Sequence, residues 1–138
     1  MKLKSLPATL LISLTLAACN SSSTQTSDHM TQSEACRQLQ IAKGAAIDIS
    51  LQLNQLDATN LKLAIPSQDL QTKISDLTSS LSQLGEKAPN EKTKKLAMQF
   101  ASDLSTQEAK AMNQEISMES AYAITNDMTE VMSLCGVG

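Results

Sequence analysis

Past an apolar opening segment and a polar stretch, the hydrophobic side chains of this chain recur every three or four positions, the rhythm of helices that bury one stripe. Leu39, Ala42, Ala46, Ile49, Leu53 and Leu56 alternate steps of three and four, with Gln38, Gln40, Lys43, Asp48 and Gln52 elsewhere on the surface. Thr31-Gln32-Ser33-Glu34 fits a capping box for this first helix, in which the Thr31 hydroxyl accepts from a first-turn amide while Glu34 reaches back. Asp57 to Asn60 reads as the first turn. Leu61, Leu63 and Ile65 precede Pro66, whose ring is tolerated in the first turn of a helix but not well inside one, which places the main second helix from Ser67. Its stripe is the cleanest in the chain: Leu70, Ile74, Leu77, Leu81 and Leu84. Gly85 then supplies a left-handed stop, Pro89 prevents continuation and Asn90 caps the third helical run, so that residues 85–90 form the second turn. From Glu91 to Cys135 there is neither Gly nor Pro, and propensity alone permits one helix of 45 residues, about 67 Å long. Met118, Ala121, Thr125, Met128, Met132 and Cys135 trace an inward stripe along its last part.

The opening segment is of another kind. Lys2 and Lys4 form a basic head, Leu6 to Leu16 an apolar run too short to span a bilayer, and Ala17 and Ala18 the small residues that a peptidase needs. Cys19 comes directly after them, so the segment resembles a bacterial lipoprotein signal ending in the lipobox Leu16-Ala17-Ala18-Cys19. The resemblance covers only these residues. It implies cleavage after Ala18, a diacylglyceryl group on the Cys19 thiol and acylation of the freed amine, which would hold the chain on the lipid bilayer through its acyl chains. Residue 20 is Asn, not the Asp that resembles an inner-membrane retention signal, so the likeness favours the outer membrane in a Gram-negative host and otherwise the outer face of the cell membrane. Residues 1–18 are thus read as a signal peptide and 19–32 as the lipidated cysteine with a Ser/Thr-rich tether. Residues 33–138 form the helical domain.

With Cys19 lipidated, Cys36 and Cys135 are the thiols that remain, in a compartment that permits oxidation. A bridge between them needs Cα atoms about 4.4–6.8 Å apart, yet one starts the first helix and the other ends the last. In an up-and-down bundle these two points share a pole only when the number of helices is even. The long run must therefore break, either at Ser105-Thr106-Gln107-Glu108 or at Asn113-Gln114. The fold expected is all-α: a small antiparallel bundle of four helices stapled by one disulfide.

Composition agrees. Phe100 and Tyr122 are the sole aromatics, so the core is built from Leu, Ile, Ala and Met, a set that favours helices over sheets. Of eleven Lys and Arg, two lie in residues 1–18; the nine left face fourteen Asp and Glu, giving the mature chain a net charge of −5. That balance excludes nucleic acid as an expected partner. Lys92, Lys94 and Lys95 form the densest basic cluster and read as a solvated helix face.

Few side chains in the sequence offer chemistry. His29, the only histidine, lies in the tether without fixed partners. The chain has no phosphate loop, no His-Glu-x-x-His, no Gly-x-Ser-x-Gly and no Cys-x-x-Cys. Glu115 and Glu119 read as an acidic solvated face, since the Glu-x-x-His companions of a dimetal bundle site are missing. No cofactor, no catalytic residue and no enzymatic activity are expected. Met128 and Met132, one turn apart, are the candidates for a Cu(I) site, because thioethers suit that ion, although core packing explains them too. The expected function is a non-enzymatic interaction module of the cell envelope with a protein partner; the alternative is a carrier of a small ligand or Cu(I) in a Met-lined groove.

Overall fold

Four helices of alternating direction make up the described part of the chain: α1 (Gln32–Asn60), α2 (Gln68–Lys87), α3 (Glu91–Met112) and α4 (Met118–Cys135). The computed structural model describes residues 29–60, 65–115 and 118–136. The signal segment 1–18, Cys19, tether residues 20–28, Leu61 and Leu63, and the side chain of Leu56, lie outside the described residues. Each helix packs against its neighbours in sequence, most extensively α2 against α3, and α4 closes the ring against α1.

The first two stripes bury as their spacing requires. Leu39, Ala42, Ala46, Ile49 and Leu53 of α1, and Leu70, Ile74, Leu77, Leu81 and Leu84 of α2, all belong to the core. From α3 come Leu96, Ala97, Phe100, Ala101 and Leu104, with Phe100 the largest side chain sealed completely from solvent. In α4 the phase differs from the expected stripe. The side chains that turn inward are Ser120, Ile124, Asp127 and Val131. Met118 and Thr125 lie at the surface and Met132 is 36% exposed, while Ala121, Met128 and Cys135 sit at the flank. The inward rhythm is the same four-three-four step, but the helix is rotated to bury Asp127 and Ser120 instead of a row of thioethers.

The helix ends obey local chemistry. Thr31 Oγ1 accepts from the Glu34 amide at 3.2 Å, but the Glu34 carboxylate turns forward, taking Arg37 Nη2 at 2.7 Å and Gln38 Nε2 at 2.9 Å, so only half of the capping box forms. The Arg37 hydrogen bond, then that of Gln38, holds the Glu34 carboxyl down to about 2. Ser67 caps α2 through Leu70 N at 3.2 Å, and Asn90 caps α3 through Thr93 N at 2.9 Å. Asp57 to Asn60, expected as a turn, continue α1. Gly85 does not stop α2: the helix runs on to Lys87, and a Cβ on Gly85 would lie 2.6 Å from Met98 Sδ of α3. That glycine serves the close approach of two helices rather than a turn, and the connection shrinks to residues 88–90.

The break in the long run falls at Asn113-Gln114, the second of the two expected places. Gln114 adopts φ +59°, and its amide and that of Glu115 return to Ala111 O and Lys110 O at 3.0 and 2.9 Å. This is a left-handed helix termination made without glycine.

One pole of the bundle is densely stitched. Cys36 and Cys135 form a disulfide with Cα atoms 5.3 Å apart across 99 residues of sequence. Beside it, Gln40 Nε2 donates to Gly136 O at 2.9 Å, the Met30 amide donates to Lys87 O at 2.9 Å, and Gln32 Oε1 accepts from both Asn90 Nδ2 at 2.8 Å and Thr93 Oγ1 at 3.1 Å. Met30, within the stretch expected as tether, packs on the core.

Two measurements test these assignments. The double variant Cys36→Ser/Cys135→Ser should remain helical by circular dichroism yet lose about 2–4 kcal/mol in urea unfolding, because a long loop is no longer closed in the denatured chain. A loss below about 0.5 kcal/mol would deny the bridge its stabilising role. Gln114→Gly should stabilise the bundle by about 0.5–1 kcal/mol, since glycine enters the left-handed region without the steric cost of a Cβ; a destabilised variant would mean that this turn is not left-handed.

Candidate functional site: a carboxyl pair between the last two helices

Asp127 occupies a position in α4 where an apolar side chain would ordinarily stand, between Ile124 and Val131 on the inward stripe. It is 1% exposed. Its carboxyl hydrogen-bonds that of Asp103 on the facing helix α3. Two carboxylates cannot bond each other without a proton between them. Desolvation first, then the hydrogen bond to Asp103 and the negative charges of Asp103 and Glu130, push the Asp127 carboxyl up to about 8. Burial thus favours the neutral form of Asp127, and the pair is held together by one shared proton.

The surroundings leave acceptor capacity unused. Oε1 of Gln107, one turn along α3 from Asp103, is buried without a hydrogen-bond partner, and the Oδ2 atoms of Asp103 and Asp127 find one only in each other, through a shared proton. Asp103 also borders a groove of 160 Å³ between α3 and α4, lined with Thr106, Lys110, Glu119, Ser120 and Ala123. A buried oxygen that lacks a donor, as at Gln107, is costly, and so is a buried carboxyl pair that loses its proton.

The residues singled out from sequence fall elsewhere. Cys36 and Cys135 are joined. Met128 packs partly buried against the core, whereas Met132, one turn on, is more open to solvent, so the pair does not share one enclosed environment. Grooves of 260 Å³ between α1 and α2 and of 210 Å³ beside Leu96 and Leu134 are smaller than the roughly 300–1,000 Å³ usual for a ligand pocket. His29 is exposed, as are Lys92, Lys94 and Lys95 at the start of α3, and Glu115 and Glu119. Among the described residues no group of three or more His, Cys, Asp and Glu side chains is gathered as a metal site, and no helix is long and apolar enough to cross a membrane.

Hydropathy spacing does not single out the carboxyl pair, although one signal is present: Ser120, Ile124, Asp127 and Val131 keep the step of a buried stripe. Two polar members make it look like an outer face. Comparison of the chain with protein-family models, with curated proteins and with solved structures finds no match.

The Asp127 carboxyl is raised above its unfolded value of about 3.9, so its contribution to stability is most favourable below about pH 4 and is lost as pH climbs towards 8. Asp127→Asn, which keeps a donor to Asp103 and cannot ionise, should match the parent protein near pH 4 and exceed its stability by on the order of 2 kcal/mol at pH 7.5. Urea titrations at the two pH values check this; equal stability of the two proteins at both would show that Asp127 carries no raised proton affinity.

Proposed function

We propose that this chain is a lipid-anchored protein of the bacterial cell envelope that works as a non-enzymatic interaction module. The observation that carries the reading is the number of large apolar side chains left outside the core. Ile41, Ile47 and Leu51 on the outer face of α1, and Met118, Tyr122 and Met132 on that of α4, are exposed although the bundle fills its interior from the opposite stripes. Tyr122, one of two aromatics in the chain, is 63% exposed while the other, Phe100, is fully buried. Apolar side chains gathered on outer faces suit recognition of another protein.

The anchoring half of the reading rests on the segment ending in Leu16-Ala17-Ala18-Cys19. An acylated Cys19 would place the bundle on a leaflet while leaving it outside the bilayer, at the end of a short polar linker. The same compartment suits the Cys36–Cys135 disulfide, which supports an extracytoplasmic location.

Expression of the full chain in a bacterial host with fractionation and intact-mass analysis tests this. The native protein should sediment with membranes and carry a diacylglyceryl mass on a mature chain beginning at Cys19, whereas Cys19→Ser should lose the lipid mass. An unmodified native terminus, or a cytosolic native protein, would reject the anchoring.

A further inference from the structure

We infer that the Cys36–Cys135 bridge is polarised for exchange with a small thiol: the incoming sulfur bonds to Cys135 and Cys36 departs, which makes Cys135 a reversible thiolation site. Both cysteines are partly exposed, so a small molecule can reach the bridge. Its surroundings treat the two sulfurs unequally in three respects.

One is a hydrogen bond. Gln32 Nε2, one turn before Cys36 on α1, donates to Cys36 Sγ at 3.5 Å. A thiolate accepts far more strongly than a disulfide sulfur, so this contact tightens as charge gathers on Cys36. Gln32 is held in place for it, because its Oε1 accepts from Asn90 Nδ2 at 2.8 Å and from Thr93 Oγ1 at 3.1 Å. The other amide at the bridge, Gln40 Nε2, donates to Gly136 O rather than to sulfur.

The helix ends act in the same direction. Cys135 is the last residue of α4, beside carbonyls whose partial negative charge disfavours an anion, and no basic residue stands in that last turn. Cys36 lies towards the amino-terminal end of α1, where the sign is opposite. Exchange expels the sulfur that bears charge more readily, and here that sulfur is Cys36.

Room is the third. A thiolate enters along the S–S axis, from the side of the attacked sulfur away from the leaving one. Cys36 has the side chains of Gln32 and Gln40 one turn to either side, whereas the neighbour of Cys135 is Gly136, where an added Cβ would meet no described atom within 4 Å.

The step balances without oxidant or reductant. The bond between the two cysteine sulfurs breaks as one forms between Cys135 Sγ and the incoming sulfur, and Cys36 leaves as a thiolate that takes a proton from water. Return is direct: with the Cα atoms 5.3 Å apart, Cys36 attacks Cys135 Sγ of the mixed disulfide and expels the thiol.

The test exposes the full chain, any free Cys19 thiol first blocked with iodoacetamide, briefly to mercaptoethanol, then quenches with N-ethylmaleimide and maps the peptides. Folded protein should carry mercaptoethanol on Cys135 and maleimide on Cys36 roughly five-fold more often than the reverse. Urea should level that ratio, since all three features belong to the fold. Gln32→Glu keeps an oxygen for Asn90 and Thr93 but lacks the donor; with its helicity confirmed by circular dichroism, it should cut the ratio about two-fold or more. Equal adducts in the folded parent, an excess on Cys36, or a ratio that survives urea would overturn the inference, and so would an unchanged ratio in folded Gln32→Glu. Should that variant unfold, the parent with and without urea decides alone.

Discussion

The bundle depends on a single topological constraint: the beginning of its first helix and the end of its last are covalently joined. Cys36 and Cys135 stand 99 residues apart in sequence and 5.3 Å apart in space, which only an even number of passes can achieve without a long return connection. The joined ends then recruit their surroundings. Gln32, Gln40 and Met30 bond across helices at the same pole, and Thr93, with no exposure at all, is satisfied there by Gln32. In a chain whose core has one aromatic side chain, constraint of the unfolded state supplies what apolar volume does not.

Legibility of the fold from sequence tracks the kind of signal involved. Where an apolar stripe is the only force at work, as in Leu70 to Leu84, spacing locates every buried side chain. The two thiols locate the number of helices, and Asn90 its own cap. Glycine misleads in both directions. Gly85 reads as a stop, but its lack of a Cβ admits Met98 of the neighbouring helix, a tertiary contact that no local pattern contains. The actual left-handed stop is made by Gln114, a residue with no particular claim to that conformation, because the helices need to reverse there. Local preference is weak beside packing, and these two positions show each side of that imbalance.

The carboxyl pair is hidden for a different reason. An aspartate has two faces chemically: ionised it belongs in water, protonated it is a modest hydrogen-bonding group that a helix interface can hold. Periodicity counts only the first. Hydropathy therefore selects Met118, Thr125 and Met132 of α4 as inward, when the helix turns about its axis to pair Asp127 with Asp103 and leaves Met118 and Met132 toward solvent. The same rotation buries the Asp127 carboxyl and leaves Met118, Tyr122 and Met132 outside, so the site within and the surface without are two results of one choice of helix phase.

The position of the disulfide has a mechanical meaning as well. Cys36 is the fifth residue of α1, so tension entering from the amino-terminal side meets the sulfur link within the first two turns and is divided between the first and last helices of the ring, α1 and α4. While the link is intact such tension is carried by two helices, and once it is reduced by α1 alone.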